Sequence, residues 1–186
     1  LVYSLPPELT AATVITTPST NYTDARIKSV AINTAGQAVI IGKATLNSNV
    51  VPLVYSFLSG ATTASLIEMP FSGFSPATKG VDRNILFDVA IGSAGNAVIV
   101  GQAKIDAENI DVPIAYSLLT GSTAATMLTV PTPAGRPNGV LRGVAIDSSE
   151  NAIMTGDVYA LVTDANPSIP INYSLALGAT TAIEIN

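Results

Sequence analysis

The sequence predicts an all-β chain, a β-propeller segment of four-stranded antiparallel blades with three full blades and a partial one at the N-terminus. Three observations lead there. An apolar phrase, VAINTAGQAVIIGKA at residues 30–44, returns as VAIGSAGNAVIVGQA at 89–103 and as VAIDSSENAIMTGDV at 144–158. Each copy is followed by a second phrase built on Pro-x-x-Tyr-Ser and a glycine, beginning VPLVYSFLSG, VPIAYSLLTG and IPINYSLALG. No stretch carries a helical period.

The units recur 59 and then 55 residues apart when measured from Val30, Val89 and Val144, a length that suits four short strands with turns. Strand a holds Val-Ala-Ile. A tight turn follows at residues 33–36 and 92–96, and strand b, with Ala-Val-Ile, is expected to end at Gly42, Gly101 and Gly156. A polar loop leads to strand c, Pro-x-x-Tyr-Ser. A turn at Gly60, Gly121 and Gly178 leads to strand d, rich in Thr, Ala and Ile. Long Pro- and Gly-rich connections at 70–80 and 131–139 then reach the next strand a.

Such a meander is apolar on both faces, so it needs a like sheet on each side, and stacking around an axis supplies one. The alternative with three four-stranded units is a β-trefoil. It would stop at three, whereas LVYSLPPELTAATVITTP at residues 1–18 matches strands c and d of a further unit. The expected divisions of this single domain are 1–24 (partial blade), 25–82, 83–138 and 139–186. Because the first unit has c and d without a and b, two copies of the chain would not complete one another. The expectation is further blades upstream or self-association through exposed blade faces.

Composition narrows the function. Only 11% of residues are charged against 48% apolar, so the surface must be built from Thr, Ser, Asn, Ala and Gly, a profile associated with extracellular bacterial β-proteins. The net charge of −5, with basic residues scattered singly, leaves no stripe to follow a phosphate backbone, and nucleic acid is not an expected partner. The longest apolar run, residues 50–58, contains Pro52 and is far too short for a membrane-spanning helix. With neither Cys nor His, the chain has no thiol or Ser-His-Asp catalysis and none of the usual zinc sites.

The segment GVAIDSSENAIMTG at residues 143–156 resembles the bacterial β-propeller repeat that runs Val-Ala-Val-Asp-x-x-Gly-Asn-x-Tyr-Val-x-Gly, and VAIGSAGNAVIVG matches it similarly. The chain departs from that pattern at Glu150, where the family has Gly, and in having Ala or Val in place of Tyr. The resemblance spans strands a and b of each unit. It implies a secreted or cell-surface scaffold or binding protein, with no catalytic residue to carry over.

Carboxylate or Ca²⁺ chemistry remains. Asp106, Glu108 and Asp111, between strands b and c, have the oxygen spacing of a Ca²⁺ loop, but lack the Gly and terminal Glu of an EF-hand, so a solvated loop is expected and no cofactor is assigned. The repeated tyrosines Tyr3, Tyr55, Tyr116 and Tyr173 are expected to pack between blades with their hydroxyls tied to a neighbour. In a propeller the d-to-a and b-to-c loops open on one face. The charge expected there is Asp24, Arg26, Lys79, Asp82, Arg83 and Arg136, with Lys28, Asp88 and Arg142 beside the axis and a nearly neutral opposite face. The reading is a non-enzymatic interaction or display module that binds a protein or surface ligand through Arg83 and Arg136, supported by Asp82, Lys79, Arg26 and Arg142. The competing class is a carbohydrate-active enzyme, a lyase or glycosidase, or a lectin, using the central face.

Overall fold

A computed structural model describes residues 2–4, 13–15, 17, 21–70, 77–78, 85–105, 110–160, 168–176 and 178–185. Among these residues every regular element is a β-strand, and no helix is long and apolar enough to cross a membrane. Strands β1 (Val2–Ser4) and β2 (Thr13–Ile15) form a two-stranded antiparallel sheet. Blade I comprises β3 (Thr23–Ile32), β4 (Ala38–Leu46), β5 (Asn49–Phe57) and β6 (Ser65–Leu66), with β7 (Ala77–Thr78) also on β5. Blade II comprises β8 (Ile85–Ile91), β9 (Ala97–Ile105), β10 (Ile110–Leu118) and β11 (Thr126–Leu128). Blade III comprises β12 (Asn138–Ile146), β13 (Ala152–Tyr159), β14 (Ile169–Leu175) and β15 (Ile183–Glu184).

Each blade is an antiparallel meander in chain order, and the first strands of successive blades, β3, β8 and β12, lie beside one another. That arrangement is a propeller segment with strand a innermost. It sets the trefoil aside, because each unit's four strands make their own sheet.

The turns follow from their residues. Asn33 N–H donates to the Gln37 carbonyl and Gly36 N–H to the Asn33 carbonyl, and the same pair of bonds recurs at Gly92–Asn96 and Asp147–Asn151. The residue two before the return strand has positive φ in each case: Gly36, Gly95 and, without the licence of a glycine, Glu150 at 65°.

Apolar residues on the two faces of each sheet meet their counterparts across each blade junction. Val39, Ile41, Val54 and Ile67 of blade I are buried with Leu86, Val89, Ile99, Ile114 and Tyr116 of blade II. Val98, Val100, Ala115 and Leu128 of blade II are buried with Leu141, Met154, Ile171 and Tyr173 of blade III. Each large aliphatic side chain so covered contributes about 1.5–3 kcal/mol relative to exposure.

Two ties accompany this packing. The Tyr116 hydroxyl donates to the Pro70 carbonyl of the preceding blade at 3.3 Å, and that of Tyr173 to the Pro131 carbonyl, as the repeated tyrosines predict. Burial raises the pKa of both phenols, and Tyr173 is pushed up to about 12. At the rim, strand d joins the next blade's c-to-d turn: Glu68 N–H donates to the Thr123 carbonyl, Ala125 N–H to the Glu68 carbonyl, and Thr129 repeats both bonds with Thr180 and Ala182.

Two expectations are corrected. Residues 77–78, expected within a long connection, add as β7 to Asn49 and Val50 of β5, an edge that β6 leaves uncovered because it reaches only Tyr55 and Ser56. Gly42, Gly101 and Gly156 do not end strand b; they lie within β4, β9 and β13. Their neighbour explains them. Strand a carries a bulge where the register shifts between Ile27 and Ser29, Leu86 and Asp88, and Leu141 and Gly143. The glycine lies opposite, where a Cβ would collide with the backbone carbonyl of Arg26, Ile85 or Val140.

Gly101→Ala is therefore expected to cost about 2–4 kcal/mol in urea unfolding, through displacement of the bulged backbone. Tyr116→Phe keeps the ring and loses the tie, so about 1 kcal/mol is expected. A Gly101→Ala protein as stable as the parent would separate the glycine from the bulge.

Candidate functional site at the inner strands

The bulge is what builds the site. An extra residue in one strand of a pair is left out of the ladder and its side chain is re-aimed. In the three blades that residue is Lys28, Phe87 and Arg142. All three gather on the axial edge: Lys28 Nζ lies 4.8 Å from the Phe87 ring centroid and the Arg142 guanidinium carbon 5.9 Å from it. Both distances fall within the reach of a cation–π contact. Arg142 Nε also donates to Asp157 Oδ2 at 2.9 Å, yet its side chain is 60% exposed. Lys28 is exposed and, among the described residues, has no carboxylate partner.

One residue further along, Asp88 joins the three inner strands. The Ser29 hydroxyl of blade I donates to its Oδ1 at 3.2 Å, and Val144 N–H of blade III donates to its Oδ2 at 3.1 Å. One carboxylate thus accepts from the blade on either side. The corresponding residue of blade III is Gly143, where a Cβ would stand 3.9 Å from Asp88 Oδ2.

At the far end of the inner strands the a-to-b turns of three blades interlock. Asn33 Nδ2–H of blade I donates to the Gly92 carbonyl of blade II at 3.1 Å. Glu150 of blade III reaches the same turn from the other side, accepting at Oε1 from the Ser93 hydroxyl (2.8 Å) and Ala94 N–H (3.0 Å). A Cβ on Gly92 would collide with the Glu150 carboxylate, so the glycine makes the room that the glutamate fills. The opposite face, expected to be nearly neutral, has charged Glu150 and Asp147 in its blade III turn. Asp147 is also engaged, accepting from Ser149 N–H and Asn151 N–H, and these bonds hold its carboxyl below the usual range.

The expected site residues separate. Arg142 is on the axial wall, with Lys28 and Asp88, as expected. Asp24 and Arg26, expected in a loop, lie within β3 beside an irregular register; Asp24 has φ of 51°, and Arg26 is exposed. Arg136 is half-buried in the turn before β12, its N–H donating to the Pro133 carbonyl. Lys79, Asp82 and Arg83 lie outside the described residues.

Of the candidate cation ligands, Asp106 and Glu108 lie outside the described residues. Asp111, expected in the loop, is a ladder residue of β10 opposite Lys104, and its N–H donates to Asn138 Oδ1 at 3.0 Å. That bond does place the b-to-c and d-to-a connections on one face. Among the described residues no three acidic side chains cluster as a metal site. Sequence reasoning missed Phe87, and it marked Glu150 only as a departure from the repeat pattern, without its contact to the blade II turn. For Phe87 the available signal was an aromatic standing where the other repeats have Lys28 and Arg142.

Asp88→Ala is expected to cost about 2 kcal/mol, because it removes the acceptor of a hydroxyl and a buried-edge amide, and to speed hydrogen exchange at Val144 N–H. Unchanged exchange there would contradict the link. For Glu150, the bonds from Ala94 N–H and Ser93 lower the carboxyl below its ordinary 4.5. A carboxyl with a lower pKa folded than unfolded stabilises the fold above the unfolded value, and that contribution is lost as pH falls through the folded one. Glu150→Gln is therefore expected to melt below the parent at neutral pH, with the gap closing as pH falls below the ordinary glutamate value of 4.5. A gap that stays constant in acid would rule out the charge as its source.

No protein-family profile matches the chain, and no curated protein sequence matches it. Among solved structures it is similar to an α-L-arabinofuranosidase from Fusarium graminearum in complex with an iminosugar inhibitor, at 10% identity and a TM-score of 0.46, over 92% of this chain and 52% of that one. The chain spans about half the length of that structure, and so distant a likeness transfers no residue, substrate or activity to it.

Proposed function

We propose that the chain is a non-enzymatic binding module, secreted or on a bacterial cell surface, that holds an acidic ligand at the axis on the face of the long loops. The observation that carries this is the convergence of Lys28 and Arg142 on the Phe87 ring. Two like charges drawn to one ring repel each other, and Asp157 offsets only one of them. A carboxylate or sulfate arriving between them relieves that repulsion. The ring beside it offers a flat apolar surface to the body of the ligand.

The carboxylates of the same wall favour binding over acid–base chemistry. Asp88 is occupied with Ser29 and Val144, and Asp157 with Arg142, which leaves neither as a free partner in an acid–base pair. Around this centre, Arg26 and Arg136 are assigned to the rim of the contact. The low charge of the chain and the repeat it resembles support a place outside the cell.

The test is an array of acidic and neutral glycans and peptides, read for binding and for bond cleavage. Lys28→Ala with Arg142→Ala is expected to weaken retention of acidic members at least about tenfold, with the loss growing smaller in high salt. Thr34→Ala, Thr62→Ala and Ser148→Ala, on exposed turns of the other face, serve as controls with melting points measured for all. Equal losses from both sets would remove the assignment. Cleavage that disappears with Asp88 or Asp157 would replace it with a catalytic one.

A further inference from the structure

Blade I carries a bare apolar strip on its innermost strand. Ile27, Val30 and Ile32 of β3 are 48%, 61% and 68% exposed. Their counterparts in blade II, Leu86 and Val89, are 2% and 5% exposed, because blade I lies against them with Val39 and Ile41. The outer half of the same face of blade I is already covered: Tyr55, Phe57 and Ala64 are buried.

The geometry of the tyrosines identifies what sits beyond that outer half. In blades II and III the strand-c tyrosine binds the proline that follows strand d of the preceding blade, Pro70 or Pro131. Tyr55 is hydrogen-bonded to Thr17, the residue before Pro18 and two beyond the end of β2. β1 and β2 therefore occupy the places of strands c and d. Their sheet has two strands, so among the described residues the edge of β1 on the axial side is unpaired.

We propose that the strip Ile27, Val30 and Ile32 is the docking surface of a two-stranded antiparallel hairpin of the β8–β9 type, which pairs with β1 and extends that sheet to the axis. The chemistry required is an a-strand and a b-strand that present Val or Ile toward blade I and a backbone edge toward β1. A second copy of this chain does not fit the place, since each of its own a–b pairs is already bonded into a sheet of four or five strands. The opposite end of the array does not make the same demand. Where blade II buries Val98, Val100 and Ala115, blade III has Ile153, Thr155 and Asn172, two of them polar. The apolar strip at blade I has no such substitution.

The experiment joins a copy of residues 85–109, the blade II hairpin and the four residues after it, ahead of Leu1. Solvent accessibility of the Val30 and Ile32 methyls is read by paramagnetic relaxation, alongside the thermal midpoint. A rise of roughly 4 °C or more with loss of methyl accessibility is expected. A second extension carries Val98→Lys and Val100→Lys in the added copy only, and is expected to do neither. Methyls that stay accessible, or equal effects from both extensions, would overturn the proposal. So would concentration-dependent dimerisation of the unextended chain that buries Val30, since the strip would then belong to self-association.

Discussion

Blade II is apolar on both faces, and among the described residues no helix covers any sheet. Cover must come from another sheet, so no blade is stable apart from its neighbours, and the features shared by the units serve that end. In β9 the apolar residues point alternately to the two neighbours, Ile99 toward blade I and Val98 and Val100 toward blade III. The buried tyrosines place a polar tip against a carbonyl of the preceding blade, that of Pro70 or Pro131. A hydroxyl taken so far from water without that acceptor would cost more than the ring contributes in specificity.

The axial edge obeys a different rule. Each inner strand bulges and its side chain at the bulge is released from the ladder. The opposite glycine is what the backbone requires, and it is the same residue in all three blades. The released residue is free to vary, and it is Lys28, Phe87 and Arg142. A fold that holds one position constant in the b-strand thereby leaves a ring of positions around the axis open to chemistry.

Much of this was legible in the residues. The triple phrase with its Gly-bearing turns reads directly as a meander, and the tyrosine at one strand position reads as a packing residue, because apolar alternation and turn chemistry act over a few neighbouring residues. The bulge was not legible. A glycine inside a β-run reads equally well as a strand end, and the carbonyl it accommodates lies more than a dozen residues away in the chain. For the same reason Asp111 read as loop although it sits in a ladder with Lys104, and residues 77–78 read as connection although they cover an edge of β5. At the candidate site, the charges beside the axis could be named from the order of the strands. The aromatic that brings two of them together could not, because its role depends on side chains from three separate sheets.

Glu150 has a further consequence. It adopts a left-handed backbone that glycine holds in the other two turns, and it does so facing Gly92, where the other turns begin with Asn33 and Asp147. Glutamate and glycine here form a lock between unlike repeats. The blades are therefore individuals with addresses: blade III has a matched seat beside blade II, and a reordered array would set Glu150 against a side chain. The units share one phrase, and their turns differ enough to encode the order in which they stand.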